Sequence, residues 1–276
     1  MAAKLHFDEW QARSKRSITP SPRYTHVALL FRHQVGDFVY EVRSAGSSRR
    51  LYTNGVLHSQ YSGRHPVTGS VWDLLWLPLF FDAAPQPQRI LLLGVGAGAT
   101  IRQLSALFGP CQIVGVEIDP IHLEIARDFF GVTPKMATLH QANALDFVQR
   151  YRGPRFDVVI DDLFTGRAAQ PHRALAFDEA WLKRLRRVLT PSGTLTVNFA
   201  DKAELSASCL PSAVGPSRDF PVGFELRTPA TENVVAAVLS KVVQSATLRA
   251  HLRATPALAS YLRNERLRYH VRPMAN

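Results

Sequence analysis

The sequence predicts an α/β protein built on a parallel sheet with an antiparallel edge, preceded by a small β-rich N-terminal domain. Three observations carry that reading. The middle of the chain alternates strand-like and helix-like segments, which implies right-handed βαβ crossovers and a parallel sheet. The run "RILLLG", residues 89–94, is continuously apolar, as expected of a strand buried on both faces. From Tyr24 to Tyr61 the pattern is shorter, rich in β-branched and aromatic residues, and broken by turn formers.

Taken in order, "THVALLFR", "DFVYEVRS" and "RRLYTNGVLHS" read as strands separated by "HQVG" and "SAGSS". "SGRHPVTGS" is a loop, and "VWDLLWLPLFF" a helix that Pro78 distorts or ends. After "RILLLG" come a helix "ATIRQLSALFG", a strand "QIVGVEID" and a helix "PIHLEIARDFFG" with Pro120 in its first turn. A strand "ATLHQ", a helix "ALDFVQRYRG", a strand "FDVVIDDLF", the amphipathic "LAFDEAWLKRLRRVL" and a strand "GTLTVNFA" follow. "FPVGFELRT" and "ENVVAAVL" read as an antiparallel edge pair, and the remainder as basic helices. The expected domains are 1–66 (β-rich), 67–245 (parallel sheet and its edge) and 246–276 (basic helical tail).

A chain of 276 residues buries a full core. Cys111 and Cys209 are far apart and form no CxxC pair, so neither a disulfide framework nor a thiolate metal site is indicated. With no apolar leader and no stretch long enough to span a bilayer, a cytoplasmic protein without membrane attachment is expected. The net charge of +11 clusters at the ends, in Arg13, Lys15, Arg16 and Arg23 and again in Arg249, Arg253, Arg263, Arg266, Arg268 and Arg272. Such ends attract polyanions without sequence-specific contacts, or form only a solvated basic face.

Gly94, Gly96 and Gly98 follow the first buried strand directly, where bare backbone lets a ligand approach closely at a helix N-terminus. The dinucleotide fingerprint wants a further glycine where Ala99 stands, which argues against plain NAD binding. Glu117, at the end of the next strand and about twenty residues on, suits the hydroxyls of a ribose. Asn143 ends the third strand of this set, placed to hydrogen-bond a heterocycle edge, to cap the next helix, or both.

Together "ILLLGVGAGATIRQL", "VGVEIDPIHLEIARDFF", "HQANALDFV" and "FDVVIDDLF" resemble the Rossmann-like class I S-adenosylmethionine-dependent methyltransferase fold, and within it the spermidine synthase-like branch. "LYTNGVLHS" is similar to the strand that closes the β domain of that branch. The resemblance covers roughly Tyr24 to Leu239. It implies S-adenosylmethionine or its decarboxylated form as cofactor, with the loop Gly94 to Gly98 facing its amino-acid or aminopropyl part. It further implies Glu117 on the ribose, Asn143 with Ala144 on the adenine, and Asp162 facing the transfer site as the catalytic base.

Departures from that branch matter as much. Aminopropyltransferases usually carry an aspartate inside the glycine loop, where this chain has Ala97. Of their D-x-x-D-P pattern only Asp162 is kept, the other positions falling on Thr165 and Gly166. The tyrosine that helps bind the amine falls on Val71 or Trp72, and the glutamine near the end of the β domain on His58 or Gln60. A polyamine brings several ammonium groups, each costly to bury without a carboxylate. Losing two acids weakens a dication by several kcal/mol, at about 1.5–3 per charged hydrogen bond.

The leading expectation is therefore methyl transfer to an unidentified small acceptor. The alternatives are a polyamine aminopropyltransferase with acids recruited from elsewhere, Asp178 or Glu179 for example, and a non-catalytic module whose basic ends bind polyanions. Asp161, His58 and His172 are the substrate-side candidates. Strand alternation lets only one of Asp161 and Asp162 face a pocket. Tyr61 is a further pocket-closing candidate, Asp119 a support or a helix cap, and Trp72 with Trp76 a packed helix face. The ten histidines show no HxH or HExxH spacing, so no metal is expected. A homodimer is the expected oligomer.

Overall fold

Asn54 and Gly55 turn the chain with φ of +50° and +79°, and this mirror-type turn splits what reads as a single β-rich stretch into two strands. In the computed structural model, which describes residues 27–165 and 172–274, four antiparallel strands pair in chain order: β1 (Val27–Val35), β2 (Phe38–Ala45), β3 (Ser48–Thr53) and β4 (Val56–Ser62). The basic N-terminal cluster Arg13, Lys15, Arg16 and Arg23 lies outside the described residues. α1 (Val71–Trp76) is buried along its whole length and passes into a 3-10 turn over Leu77–Phe81, with Pro78 at its start, where the missing N–H costs nothing.

The second sheet has eight strands in the order β14-β12-β13-β11-β8-β5-β6-β7. Its parallel part joins β5 (Arg89–Leu93), α2 (Ala99–Phe108), β6 (Gln112–Glu117), α3 (Pro120–Asp128), β7 (Ala137–Gln141), α4 (Ala144–Arg150) and β8 (Phe156–Asp161). A two-stranded ribbon of β9 (Phe164–Thr165) and β10 (His172–Arg173) follows, then α5 (Glu179–Val188) and β11 (Leu189–Phe199). After α6 (Lys202–Ala207), β12 (Val222–Arg227) and β13 (Val234–Leu239) form the expected antiparallel edge, β13 pairing with β11. α7 (Ser245–Ala254), α8 (Pro256–Arg263) and β14 (His270–Pro273) complete the chain.

Alternation along β5 explains its unbroken apolar run. Ile90 and Leu92 enter the core on one side of the sheet, and Leu91 and Leu93 the core on the other. α5 shows the helical counterpart: Trp181, Leu182, Leu185 and Val188 are buried, Asp178 caps the first turn by accepting from the Trp181 N–H, and Arg186 and Arg187 occupy the last turn.

The C-terminal stretch departs from a purely helical basic tail. β14 adds to the main sheet beside β12, with Val271 opposite Leu226, and Leu248, Leu252, Leu258 and Leu267 are buried. The reason is local: arginines at 249 and 253 mask buried leucines one position earlier, and a four-residue strand is too short to show its period of two.

From β5 the chain winds outward through β6 and β7, then returns to place β8 on the other side of β5. The strand order therefore reverses between β5 and β8, and the crevice outside their carboxyl ends is where ligands bind in such sheets. Gly94 and Asp162 are the residues at that point.

Two glycine substitutions separate backbone strain from packing. A Cβ on Gly55 meets nothing within 4 Å, whereas one on Gly94 (φ +84°) would stand 2.1 Å from the Asp162 carbonyl oxygen. Gly55→Ala is expected to cost about 1–2 kcal/mol in urea unfolding, the backbone penalty alone. Gly94→Ala is expected to add a further cost of about 1–3 kcal/mol from overpacking.

Candidate active site

At the reversal point the Asp162 N–H donates to the Leu93 carbonyl (2.8 Å) and the Gly94 N–H to that of Val116 (2.9 Å), so the ends of β5, β6 and β8 are tied together. Glu117 then organises the glycine loop. Its Oε2 accepts from the Val95 and Gly96 N–H groups (3.0 and 2.8 Å), and its Oε1 from the Asp119 N–H (3.0 Å). A carboxylate offers about four lone-pair sites, so roughly one remains for a ligand.

The small sheet braces this loop from the other side. Ser59 Oγ accepts from the Ala97 N–H (2.9 Å), and a Cβ on Gly96 would come within 2.7 Å of that oxygen. The Tyr40 hydroxyl donates to Asp119 (2.7 Å), while Thr53 pairs with His122 (2.9 Å). Asp119 also caps α3 through the Ile121 N–H, so it serves both as helix cap and as support. Sequence reasoning missed Ser59, Tyr40, Thr53 and His122, whose partners lie 38 to 79 positions away with no local pattern to announce them.

The two adjacent acids divide sharply. Asp161 is fully buried; Arg173 Nη2 donates to both its oxygens (2.9 and 2.8 Å) and the Trp181 indole N–H to one of them (2.7 Å). Arg173 also donates to the carbonyls of Asn198 (2.7 Å) and Leu175 (3.2 Å). Asp161 thus departs from the substrate-side role expected of it: strand alternation turns it into the core, where it anchors the β9–β10 ribbon. Among the described residues Asp162 accepts one hydrogen bond, on Oδ1 from the Asn198 amide (2.7 Å), and Asn198 is in turn oriented by Asn233 (3.2 Å). Burial pushes the Asp162 carboxyl up to about 6, against the pull of Asn198 and with a smaller push from Asp161. Its Oδ2 accepts no hydrogen bond among the described residues.

Other candidates sort as follows. Asn143 spends its carbonyl oxygen on the Leu145 and Asp146 N–H groups, which leaves its amide N–H groups as donors, beside a buried Ala144. Ile118, not singled out in the sequence, is 64% exposed next to Glu117 and offers an apolar face to a flat heterocycle. His58 stands against the glycine loop, its carbonyl oxygen 3.0 Å from where a Gly96 Cβ would be, and its Nε2 is buried without a partner. Burial and the neighbouring His122 ring lower His58 to about 4, so it is neutral at pH 7. His172 is exposed on the ribbon, opposite Thr165. Tyr61 does not close this site but lies under the Arg102 guanidinium, 4.6 Å from its ring centre. Trp72 and Trp76 are buried packing residues. Among the described residues no group of three or more His, Cys, Asp or Glu is placed to hold a metal ion.

The Spermine/spermidine synthase domain family matches residues 73–210, half of the chain. The protein belongs to this family. Its matched stretch runs from α1 through the glycine loop, Glu117, Asn143 and Asp162, and omits both the braced N-terminal sheet and the last strands. Relatives include Polyamine aminopropyltransferase 2 of Caldanaerobacter subterraneus subsp. tengcongensis, 30% identical over 165 residues that cover 58% of this chain and 52% of that protein. Another is the eEF1A lysine and N-terminal methyltransferase of Bos taurus, 30% identical over 123 residues, 41% of this chain and 17% of that one. The chain thus spans about half, or less, of the length of these curated relatives. In structure it is similar to a probable spermidine synthase from Corynebacterium glutamicum, with a TM-score of 0.67 at 16% identity over 88% of this chain and 90% of that one. At that identity the likeness shows a shared Rossmann-like fold with a separate small N-terminal sheet.

For this family member, breaking the Arg173–Asp161 pair from one side leaves a buried charge without its partner. Arg173→Met and Asp161→Asn are each expected to cost about 3–5 kcal/mol in denaturant unfolding. The double variant is expected to be less destabilised than the sum of the two.

Proposed function

We propose that the protein is an S-adenosylmethionine-dependent methyltransferase of the spermidine synthase type, acting on a small acceptor that is not a polycation. The observation that supports this most is that, among the described residues, Asp162 is the one uncommitted carboxylate at the site. Among the described residues the charges that act on Asp162 are Asp161, Arg173 and Glu117; the first two neutralise each other and the third holds the loop amides. Residues 166–171, Gly-Arg-Ala-Ala-Gln-Pro, bring no acid, and Asp178 is committed to capping α5. A second ammonium of a diamine would be desolvated with no counter-charge.

The site's residues suit an adenosyl group: one open lone pair on Glu117 for a ribose hydroxyl, donor N–H groups on Asn143 for the adenine edge, and Ile118 with Ala144 as apolar contact. When bound, S-adenosylmethionine supplies an electrophilic methyl carbon on a positively charged sulfur. The chain's own part is to hold the acceptor in line and take its proton. Asp162 Oδ2 is the accepting atom, with Oδ1 fixed by Asn198. His58, neutral at pH 7, backs the loop from the small sheet, and His172 is exposed on the β9–β10 ribbon.

Calorimetric titration with S-adenosylmethionine and with its decarboxylated analogue tests this. Preference for the carboxylated form is expected; preference for the decarboxylated form would replace the proposal by aminopropyl transfer, and binding of neither would leave only a polyanion-binding module. Exposed arginines at 249, 253, 263, 268 and 272 support weak polyanion binding that falls steeply with salt. Two unpaired cysteines support a cytoplasmic setting, and Val27, Leu29 and Val35, 63, 55 and 49% exposed along the β1 edge, support a homodimer.

Asp162→Asn is expected to leave S-adenosylmethionine affinity within a few-fold while slowing transfer of labelled methyl to an acceptor by about 10²–10⁴. Equal rates in the variant would remove Asp162 as base. Because its carboxyl is raised to about 6, the base form grows as pH rises through 6, and the rate should rise with it. The sign for stability is opposite: the raised value favours the folded state below the unfolded value near 4, and that contribution is lost as pH rises through 6.

A further inference from the structure

We propose that a second cavity, between β4, the loop 63–68 and α2, is a binding site for a small phosphate monoester. The cavity has a volume of about 240 Å³ and shares no lining residue with the glycine loop, Glu117, Asn143 or Asp162. Its lining includes Tyr61, Arg64, His65, Arg102 and Gln103 and, among the described residues, contains no aspartate or glutamate. That volume far exceeds the roughly 10–15 Å³ a single water needs and suits a ligand of a few carbons.

Arg102 is the centre of the argument. It is half-buried, yet every acceptor it meets among the described residues is neutral: the Gly131 carbonyl (3.1 Å), the Met136 sulfur (3.8 Å) and the Tyr61 hydroxyl (3.1 Å), with its guanidinium over the Tyr61 ring. Among the described residues the Nε–H meets no acceptor and Nη2 meets one, so the guanidinium keeps donors for phosphate oxygens. Arg64, exposed in the same lining, has no carboxylate partner among the described residues, which gives the cavity a second cation suited to a dianion. By contrast, the buried Arg173 has its carboxylate within the protein.

Gln103 holds the cavity wall in place. Its Nε2 donates to the Pro66 carbonyl (2.8 Å) and to Asp73 (2.6 Å), which ties α2 to the loop 63–68. A cavity of this size leaves room for a few carbons beside a phosphate group, which favours an ester over the free ion. This inference does not rest on the proposed methyl transfer, although α2 carries Arg102 and Gln103 and begins at the glycine loop.

The test is calorimetric titration of the full chain at low salt with glycerol phosphate and with inorganic phosphate, in the wild type, Arg64→Ala and Arg102→Lys. Saturable binding of glycerol phosphate is expected, tighter than that of inorganic phosphate and weakened about tenfold or more in each variant, with melting temperatures of the free variants close to wild type. Arg64→Ala removes an exposed side chain, so its folding is secure. Absence of saturable binding would overturn the proposal, as would binding that survives both substitutions, which would assign it to the basic surface at large. Inorganic phosphate binding as tightly as the ester would overturn the monoester assignment.

Discussion

The Glu117 carboxylate is the constraint on which the rest of the site stands. Buried at the end of β6, it gathers the Val95, Gly96 and Asp119 N–H groups and so sets the path of the glycine loop before any ligand arrives. A loop whose amides are already satisfied in this way keeps its shape without a ligand, so little has to reorganise when one binds. The small N-terminal sheet completes the same structure, since Ser59 satisfies the next amide of the loop, Ala97, and Tyr40 fixes Asp119. The two sheets are therefore parts of one site rather than a catalytic unit with an appendage.

Adjacent acids with opposite fates show how a single strand end serves structure and chemistry together. Asp161, with a guanidinium and an indole N–H on it, is held in the core and ties down the ribbon over the crevice. Asp162, one residue on, has an amide donor and, among the described residues, an open oxygen, and burial keeps its proton affinity near the range useful for a base at neutral pH. The Arg173–Asp161 pair contributes less to net stability than its geometry suggests, because two charges were desolvated to make it. Its value is positional: it fixes where the ribbon returns.

The basic character of the chain is distributed, not uniform. Most arginines are solvated and act as a diffuse field. Arg173 is neutralised internally, and Arg102 is half-buried with no carboxylate partner among the described residues, so what each cation is paired with separates the structural from the unpartnered ones.

Sequence alone determined the layered α/β architecture, the antiparallel edge, the positions of Gly94, Glu117, Asn143 and Asp162 at strand ends, and the shortage of acids that argues against a polyamine. These are local signals: periodicity, turn chemistry and residue type within a few positions. The Asn-Gly turn at 54–55 was equally local, and it is the pattern that divides β3 from β4. Only the tertiary structure decided which of Asp161 and Asp162 faces the crevice, that Tyr61 belongs to a different cavity, that the last strand joins the main sheet, and that Ser59 and Tyr40 brace the loop. Each of these depends on partners tens of residues distant or on the phase of a strand relative to its neighbours, and neither quantity is encoded in any short window of sequence.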